Sequence, residues 1–315
     1  MNNILMSDLN ILCIKDGKPG HEKQTQALIE GINHYRSVNT INIAPLKNLD
    51  SLKAFVFRTW PTALSDSEFI PDIIIGTGHS THLSILAAKK SFDAKAVVIM
   101  NPSLPAKLFD GVITPSHDGF APGKNRLTTP LALAPLVESN PNQELGLFLI
   151  GGINKHFHWN TSVLIDHIHS ITTQHPKRHW QLTTSRRTPV DTLNELKALQ
   201  KKIENEGTGN LTVFDVNDLS QNWLIETMAK ASSIWVTVDS ASMLAESMNT
   251  QATIGIIDLE EKKPNNKLAI SRDNLIKKEL AGVISQERYI APPENSKPLN
   301  SQMETAEKLL SLLNL

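Results

Sequence analysis

The chain has 315 residues, 40% of them hydrophobic and 20% charged, and its 31 basic and 32 acidic residues leave a net charge of −1. These values describe a globular protein with material for about two domain cores, and they give no bulk charge that would hold nucleic acid. Cys13 is the single cysteine, which excludes an intrachain disulfide and a cysteine-based zinc site and fits a reducing cytoplasm.

The first residues, Met1 to Asp8, carry neither the basic start nor the apolar run of a secretion signal. No apolar stretch reaches the roughly 18–20 residues that cross a bilayer. The expectation is a cytoplasmic chain, with peripheral contact at the inner membrane left open.

In chain order, Ile11–Ile14 reads as a short buried strand. The segment 15–21 that follows, with Gly17, Lys18, Pro19 and Gly20, reads as a tight loop, because its glycines and proline argue against both strand and helix. A helical pattern then runs from Glu22 to about His34, with Ala27, Leu28 and Ile32 inward. Thr40–Ile43 alternates like a strand, and Leu49–Leu64, rich in Phe55, Val56, Phe57 and Trp60, is placed as a helix. Pro71–Ile75 is a strand that runs into the loop Gly76–His82 and a helix Leu83–Ser91. Ala96–Met100 and Gly111–Thr114 are further strands. Strands alternating with helices at this spacing predict βαβ units and a parallel sheet.

The segment 130–143 holds Pro130, Pro135 and Pro141 and little periodicity, and reads as a linker. The pattern then restarts. Leu145–Ile150 is a strand, Thr161–Thr173 a helix, and His179–Thr183 a strand followed by a long helix to about Glu206. Leu211–Phe214 is a strand and Leu224–Ala231 a helix. Trp235–Val238 is an apolar strand that breaks into Asp239-Ser-Ala-Ser242, where Ser240 is placed as the cap of a helix Ala241–Met248. Ala252–Ile257 is a strand, and Met303–Leu313 closes the chain as an amphipathic helix. The expected architecture is α/β: two Rossmann-like, doubly wound parallel-sheet domains facing a cleft. The first spans 1–134 and the second 144–315, with the last helix returning toward the first.

In open α/β sheets, ligands bind at the carboxyl ends of strands. Four loops occupy that position by topology alone: 16–21, 76–82, 151–156 and 185–188. His21, at the first turn of a helix, is a candidate general base whose neutral form the helix N-terminus favours, and Asp16 is the second candidate catalytic residue. Gly17, Lys18, Gly20, Gly78 and His79 are candidate substrate-binding residues, and His79, His82 and His117 are lesser candidates for the base. Gly151 and Gly152 allow close approach of a phosphate, with Lys155 adding charge. Ser185, Arg186, Arg187 and Thr188 are a stronger signal, because two adjacent arginines at a strand end offer forked donors to an anion. Ser240 and Ser242 can donate to a phosphate, Asp239 and Glu246 are acidic neighbours, and Glu246 can accept from ribose hydroxyls or remain a surface carboxylate. Each loop also reads as an ordinary tight turn or helix cap with solvated charges.

The exclusions are as informative. His156/His158 and His167/His169 lie outside strands and lack a carboxylate cluster, so no metal is expected. The sequence contains no G-x-S-x-G elbow, no Walker phosphate loop and no G-x-G-x-x-G fingerprint, and no resident cofactor is expected.

Asp16-Gly-Lys-Pro-Gly-His21 with Gln24-Thr25, Ile150-Gly-Gly152 with Lys155-His-Phe157, Thr184-Ser-Arg-Arg-Thr-Pro189, and Val238-Asp-Ser-Ala-Ser-Met-Leu-Ala-Glu246 together resemble the elongated-mitochondria (Elm-type) fission family. That family is similar to nucleotide-sugar glycosyltransferases of the GT-B architecture. Its bacterial members are described as sugar-nucleotide enzymes, and its plant branch as a membrane-surface recruiter of a dynamin-related protein. The resemblance implies that the loops at Gly151, Arg186 and Ser240 hold a nucleoside-diphosphate sugar. His21 resembles the histidine after the first loop of lipid-linked N-acetylglucosaminyl transferases. The implied partners are a nucleotide sugar and a saccharide or lipid-linked acceptor of cell-envelope type. Two other readings stay open: a non-catalytic adaptor, and a sugar-nucleotide epimerase that uses no NAD.

Overall fold

The computed structural model describes residues 8–61, 69–119, 121, 123–220, 222–294 and 297–315. The chain divides into two compact units, Met1–Pro135 with Asn300–Leu315, and Leu136–Leu299.

The first unit is built on β1 (Leu9–Ile14), β2 (Val38–Ile43), β3 (Ile73–Thr77), β4 (Lys95–Ile99), β5 (Gly111–Pro115) and β6 (Arg126–Thr129). These strands lie in the order β2-β1-β3-β4-β5-β6, and every neighbouring pair is parallel. The interior strands are almost wholly buried, as strands covered on both faces must be. Helix α1 (Pro19–Tyr35) and helix α9 (Ser301–Leu313) cover one face, where Leu28, Ile32, Leu309 and Leu313 pack on Ile11, Ile73 and Val97. Helix α3 (His82–Phe92) covers the other, with Ile85, Ala87 and Ala88 against Leu12, Ile74 and Val98. Helix α2 (Asn48–Phe57) packs on α3.

The second unit contains β7 (Asn142–Leu149), β8 (His179–Thr183), β9 (Leu211–Phe214), β10 (Ala231–Thr237), β11 (Thr253–Ile257), β12 (Gly282–Ile284) and β13 (Tyr289–Ile290). Their order is β13-β12-β11-β10-β7-β8-β9, parallel except for the β12–β13 edge. The strand connections run through α4 (Thr161–Gln174), α5 (Val190–Asn205), α6 (Trp223–Lys230), α7 (Ala241–Ser247) and α8 (Lys267–Lys277). Phe148, Trp180 and Trp235 fill the core on the side of α4 and α5. The fold is α/β with two parallel-sheet domains.

Each sheet reverses its winding at one point. In the first unit β1 sits between β2 and β3, and in the second β7 sits between β8 and β10. At these two points successive connections leave in opposite directions and open a crevice beyond the strand ends.

Several boundaries differ from the sequence reading for physical reasons. Helix α1 begins at Pro19, so Pro19, Gly20 and His21 belong to the helix and not to the expected loop. Proline is well placed at a first helical position, where its missing N–H would have no intrahelical partner anyway. Helix α2 stops at Phe57, and Arg58 adopts a left-handed conformation; of the expected extension, residues 62–64 lie outside the described residues. Ser240 stands at the cap position of α7 but its side chain makes no cap hydrogen bond. The expected linker is packed: Leu131, Leu133 and Ala134 are buried, and Leu133 joins the first unit's core.

Candidate functional site

In the first unit, β1 and β3 deliver their following loops to the reversal point. Asp16 follows β1, and its side chain is only 2% exposed. Its Oδ2 lies 2.9 Å from His21 Nδ1 and accepts from the Ser80 hydroxyl at 3.1 Å, while the Lys18 backbone N–H donates to Oδ1 at 3.2 Å. Burial opposes ionisation of Asp16, but the hydrogen bonds from His21 and Lys18, with the attraction of His21 and the Ser80 bond, hold its carboxyl below the usual carboxylate value. With Asp16 engaging Nδ1, the His21 ring is oriented and Nε2 is the nitrogen left for proton transfer.

The ring lies directly on Gly78. This residue sits at φ 88°, ψ 164°, a region open almost only to glycine, and a Cβ there would stand 2.4 Å from His21 Cε1. Lys18 is exposed, with Nζ 3.4 Å from Asp16 Oδ2. Gly17 turns the chain at φ 79°, and Gly20 lies in the first turn of α1.

A second polar group stands at the ends of β3 and β4. His79 Nδ1 and His82 Nδ1 approach the Ser103 hydroxyl at 2.6 and 3.1 Å. His82 is buried, and burial followed by the neighbouring His79 pushes its pKa down to about 4. Ser80 and Ser103 escaped the sequence reading. A hydroxyl after a strand was the available signal for both, and for Ser103 the strand-breaking Asn101-Pro102 ahead of it. His117 lies beside Asp118 beyond β5.

In the second unit, the loops after β7, β8 and β10 meet at the other reversal point. Gly151 N–H donates to Thr237 Oγ1 at 2.8 Å, and Gly152 N–H donates to Asp239 Oδ2 at 3.0 Å. The Ser185 hydroxyl donates to the Gly151 carbonyl at 2.9 Å, and the Thr188 hydroxyl reaches the same carbonyl. Arg187 donates through Nη2 to Asp239 Oδ2 at 2.9 Å and through Nη1 to the carbonyls of Gly152 and Ile153 at 3.0 and 3.3 Å.

The two glycines are therefore explained from within. A Cβ on Gly151 would stand 2.3 Å from an Asp239 carboxylate oxygen, and one on Gly152 would stand 2.1 Å from the Arg187 main chain. Of the two arginines, Arg187 already has an internal anion. Arg186 is exposed and meets no acidic side chain among the described residues. Lys155 and Ser242 are exposed and Ser240 is buried. Glu246 is 8% exposed, so the alternative of a solvated surface carboxylate does not hold.

The loop after β7 is also tied to the loop after β11. The Lys262 N–H donates to the His156 carbonyl at 2.9 Å and its Nζ to the Asn154 carbonyl at 2.8 Å. Behind this loop Arg272 is buried and pairs with Asp258 at 2.6 Å, Asp273 at 2.9 Å and Glu261 at 3.3 Å. Among the described residues, no group of three or more His, Cys, Asp or Glu is placed to hold a metal ion.

Comparison with solved structures places the fold. A UDP-glucosyltransferase from Polygonum tinctorium capable of glucosylating indoxyl matches with a TM-score of 0.52 at 10% identity, over 97% of this chain and 94% of that chain. S. aureus MnaA, in a structure with UDP, matches with a TM-score of 0.51 at 11% identity, over 96% and 88%. A glycosyltransferase from Rickettsia africae matches with a TM-score of 0.50 at 9% identity, over 98% and 97%. The architecture is thus that of GT-B glycosyltransferases and of UDP-sugar epimerases; at these identities the likeness shows the fold alone. In sequence, the uncharacterised protein RP120 of Rickettsia prowazekii (strain Madrid E) is 24% identical, over 95% of this chain and 97% of its own length. The mitochondrial fission ELM1 family model matches residues 19–313, and the chain belongs to that family.

Proposed function

We propose that this protein is a glycosyltransferase that takes a sugar from a nucleoside diphosphate and passes it to a hydroxyl of a saccharide or lipid-linked acceptor. The observation that carries this reading is positional. In each unit a few charged side chains, Asp16 and His21 in the first and Arg186, Arg187 and Asp239 in the second, follow the strands at which the order reverses, which is where open α/β sheets bind ligands.

The second unit holds the donor. Arg186 and Lys155 supply free positive charge to the diphosphate, and the Ser242 hydroxyl donates to it. Arg187 is held by Asp239 and keeps the Gly151–Gly152 turn in place. Glu246 accepts from the ribose. The first unit supplies the base. His21 Nε2 takes the proton of the acceptor hydroxyl while Asp16 steadies the imidazolium through Nδ1. The acceptor oxygen then bonds to the anomeric carbon, the carbon–oxygen bond to the diphosphate breaks, and the departing charge falls to Arg186.

Incubation with a panel of nucleoside-diphosphate sugars, each together with saccharide and lipid-linked acceptors, tests the reading. The expected result is release of nucleoside diphosphate that His21→Ala reduces at least about a hundredfold, as for loss of a general base. Isomerised sugar with no free diphosphate would mean an epimerase. A second reading, the non-catalytic adaptor, is favoured by one feature: the Arg187–Asp239 pair satisfies this arginine without a ligand. Absence of turnover with every donor would support it.

A further inference from the structure

Helix α2 is inverted relative to an ordinary surface helix. The residues it buries are Ser51 and Ala54, and it is held to α3 through the Ser51 hydroxyl, 3.1 Å from the Ser84 hydroxyl. Its apolar side chains point the other way. Leu49, Leu52, Phe55, Val56 and Phe57 are all exposed, Val56 at 61% and Phe57 at 73%. At 3.6 residues per turn, Leu49 and Val56 stand opposite Ser51 and Ala54, and Phe55 and Phe57 flank them. Large side chains gathered on one exposed face mark an interaction surface.

Cations stand within and at the ends of this face. Lys47 precedes the helix, Lys53 lies on its outer side, and Arg58 follows it; all three are exposed and meet no acidic partner among the described residues. Lys90 of α3 sits over the Phe55 ring, 5.8 Å from its centroid. The helix itself carries one acid, the half-buried Asp50.

We propose that α2 is a docking helix that lies in the surface of an anionic lipid bilayer. Its apolar side chains enter the boundary between headgroups and acyl chains, and the cations pair with lipid headgroups. Two features select this occupant. The apolar residues spread over roughly 200° of the helix circumference, a convex surface that suits a flat interface better than the narrow stripe with which one helix meets another. The cations require negative charge opposite them, and a second copy of this helix would bring Lys53 against Lys53. The proposal is independent of sugar transfer, since α2 carries none of the residues assigned to that reaction.

Sedimentation of the full chain with vesicles tests it. Binding is expected to vesicles of phosphatidylcholine with phosphatidylglycerol, to weaken with added salt, and to be lost with phosphatidylcholine alone. Leu49→Ser with Val56→Ser should weaken binding at least about tenfold, and Lys53→Gln roughly fivefold, with an unchanged melting temperature because these side chains are mostly exposed and belong to neither core cluster of the first unit. Three results would overturn the proposal. One is no binding to anionic vesicles. Another is equal binding by the Leu49→Ser, Val56→Ser variant. The third is a wild-type dimer in sedimentation velocity that this variant converts to monomer without any vesicle binding.

Discussion

Arg187 and Asp239, 52 residues apart in the chain, form an ion pair of 2.9 Å that fastens the loop after β8 to the end of β10. The Asp239 side chain has no solvent exposure, whereas that of Arg187 is 42% exposed. Oδ2 accepts both from Arg187 and from the Gly152 N–H, and no donor among the described residues reaches Oδ1. A buried carboxylate with so few donors depends on its charged partner.

Arg187→Ala should therefore destabilise the fold by about 2–3 kcal/mol, toward the lower end for a broken buried pair because the arginine is partly solvated. Adding Asp239→Asn should recover part of that loss, since a neutral amide no longer needs a cation. Urea unfolding of the two single variants and the double variant measures the coupling. Strictly additive losses would mean that the pair does not act as a unit.

Gly78→Ala tests how His21 is held. The substitution places a methyl group on the imidazole and puts alanine at φ 88°, ψ 164°, a strain of about 1–3 kcal/mol. Turnover should fall at least as far as stability does, with the His21 resonances shifted in NMR spectra. Unchanged His21 signals would show that the ring does not depend on this contact.

The pH dependence follows from two groups of opposite kind. His82 is a buried base pushed down from 6.5 to about 4, so between these values the unfolded chain takes up a proton that the folded chain refuses. Stability should rise from pH 4 to pH 6.5 more steeply in the wild type than in His82→Gln. Asp16 is an acid held below its ordinary value of 3.8. Its contribution is present above that value and is lost as the pH falls through the lower, folded value. The stability gap between wild type and Asp16→Asn should accordingly close in strong acid. Parallel curves for either pair would contradict the corresponding assignment.

Much of the fold is legible in the sequence because its interior strands are continuous β-branched or apolar runs bounded by turn residues. Thr161 to Gln174 and Leu211 to Phe214 follow the rules of periodicity closely. Helix α8 does not. Asn266 caps it, accepting from the N–H groups of Leu268 and Ala269, but its buried side includes Ser271 and Arg272. A helix that buries an arginine against Asp258 lacks the apolar stripe that announces a helix. Strand β6, Arg-Leu-Thr-Thr, is hidden for a similar reason: it lies at a sheet edge and buries one residue.

At the candidate site, short-range signals were readable and long-range pairings were not. The turn at Gly151–Gly152 is visible as a dipeptide, but its cause, the Asp239 carboxylate and the Arg187 main chain, comes from loops distant in sequence. Likewise nothing local distinguishes Arg186 from Arg187, although among the described residues only Arg187 meets an acidic side chain.

The most direct test of the donor assignment is calorimetric titration of the wild type and of Arg186→Ala with UDP, GDP and CMP. Binding of at least one nucleotide is expected, weakened roughly tenfold to a hundredfold in the variant by loss of a charged hydrogen bond, with no change in unfolding free energy. If no nucleotide bound the wild type, or if Arg186→Ala bound as tightly as the parent, the second unit would not grip a diphosphate through this loop.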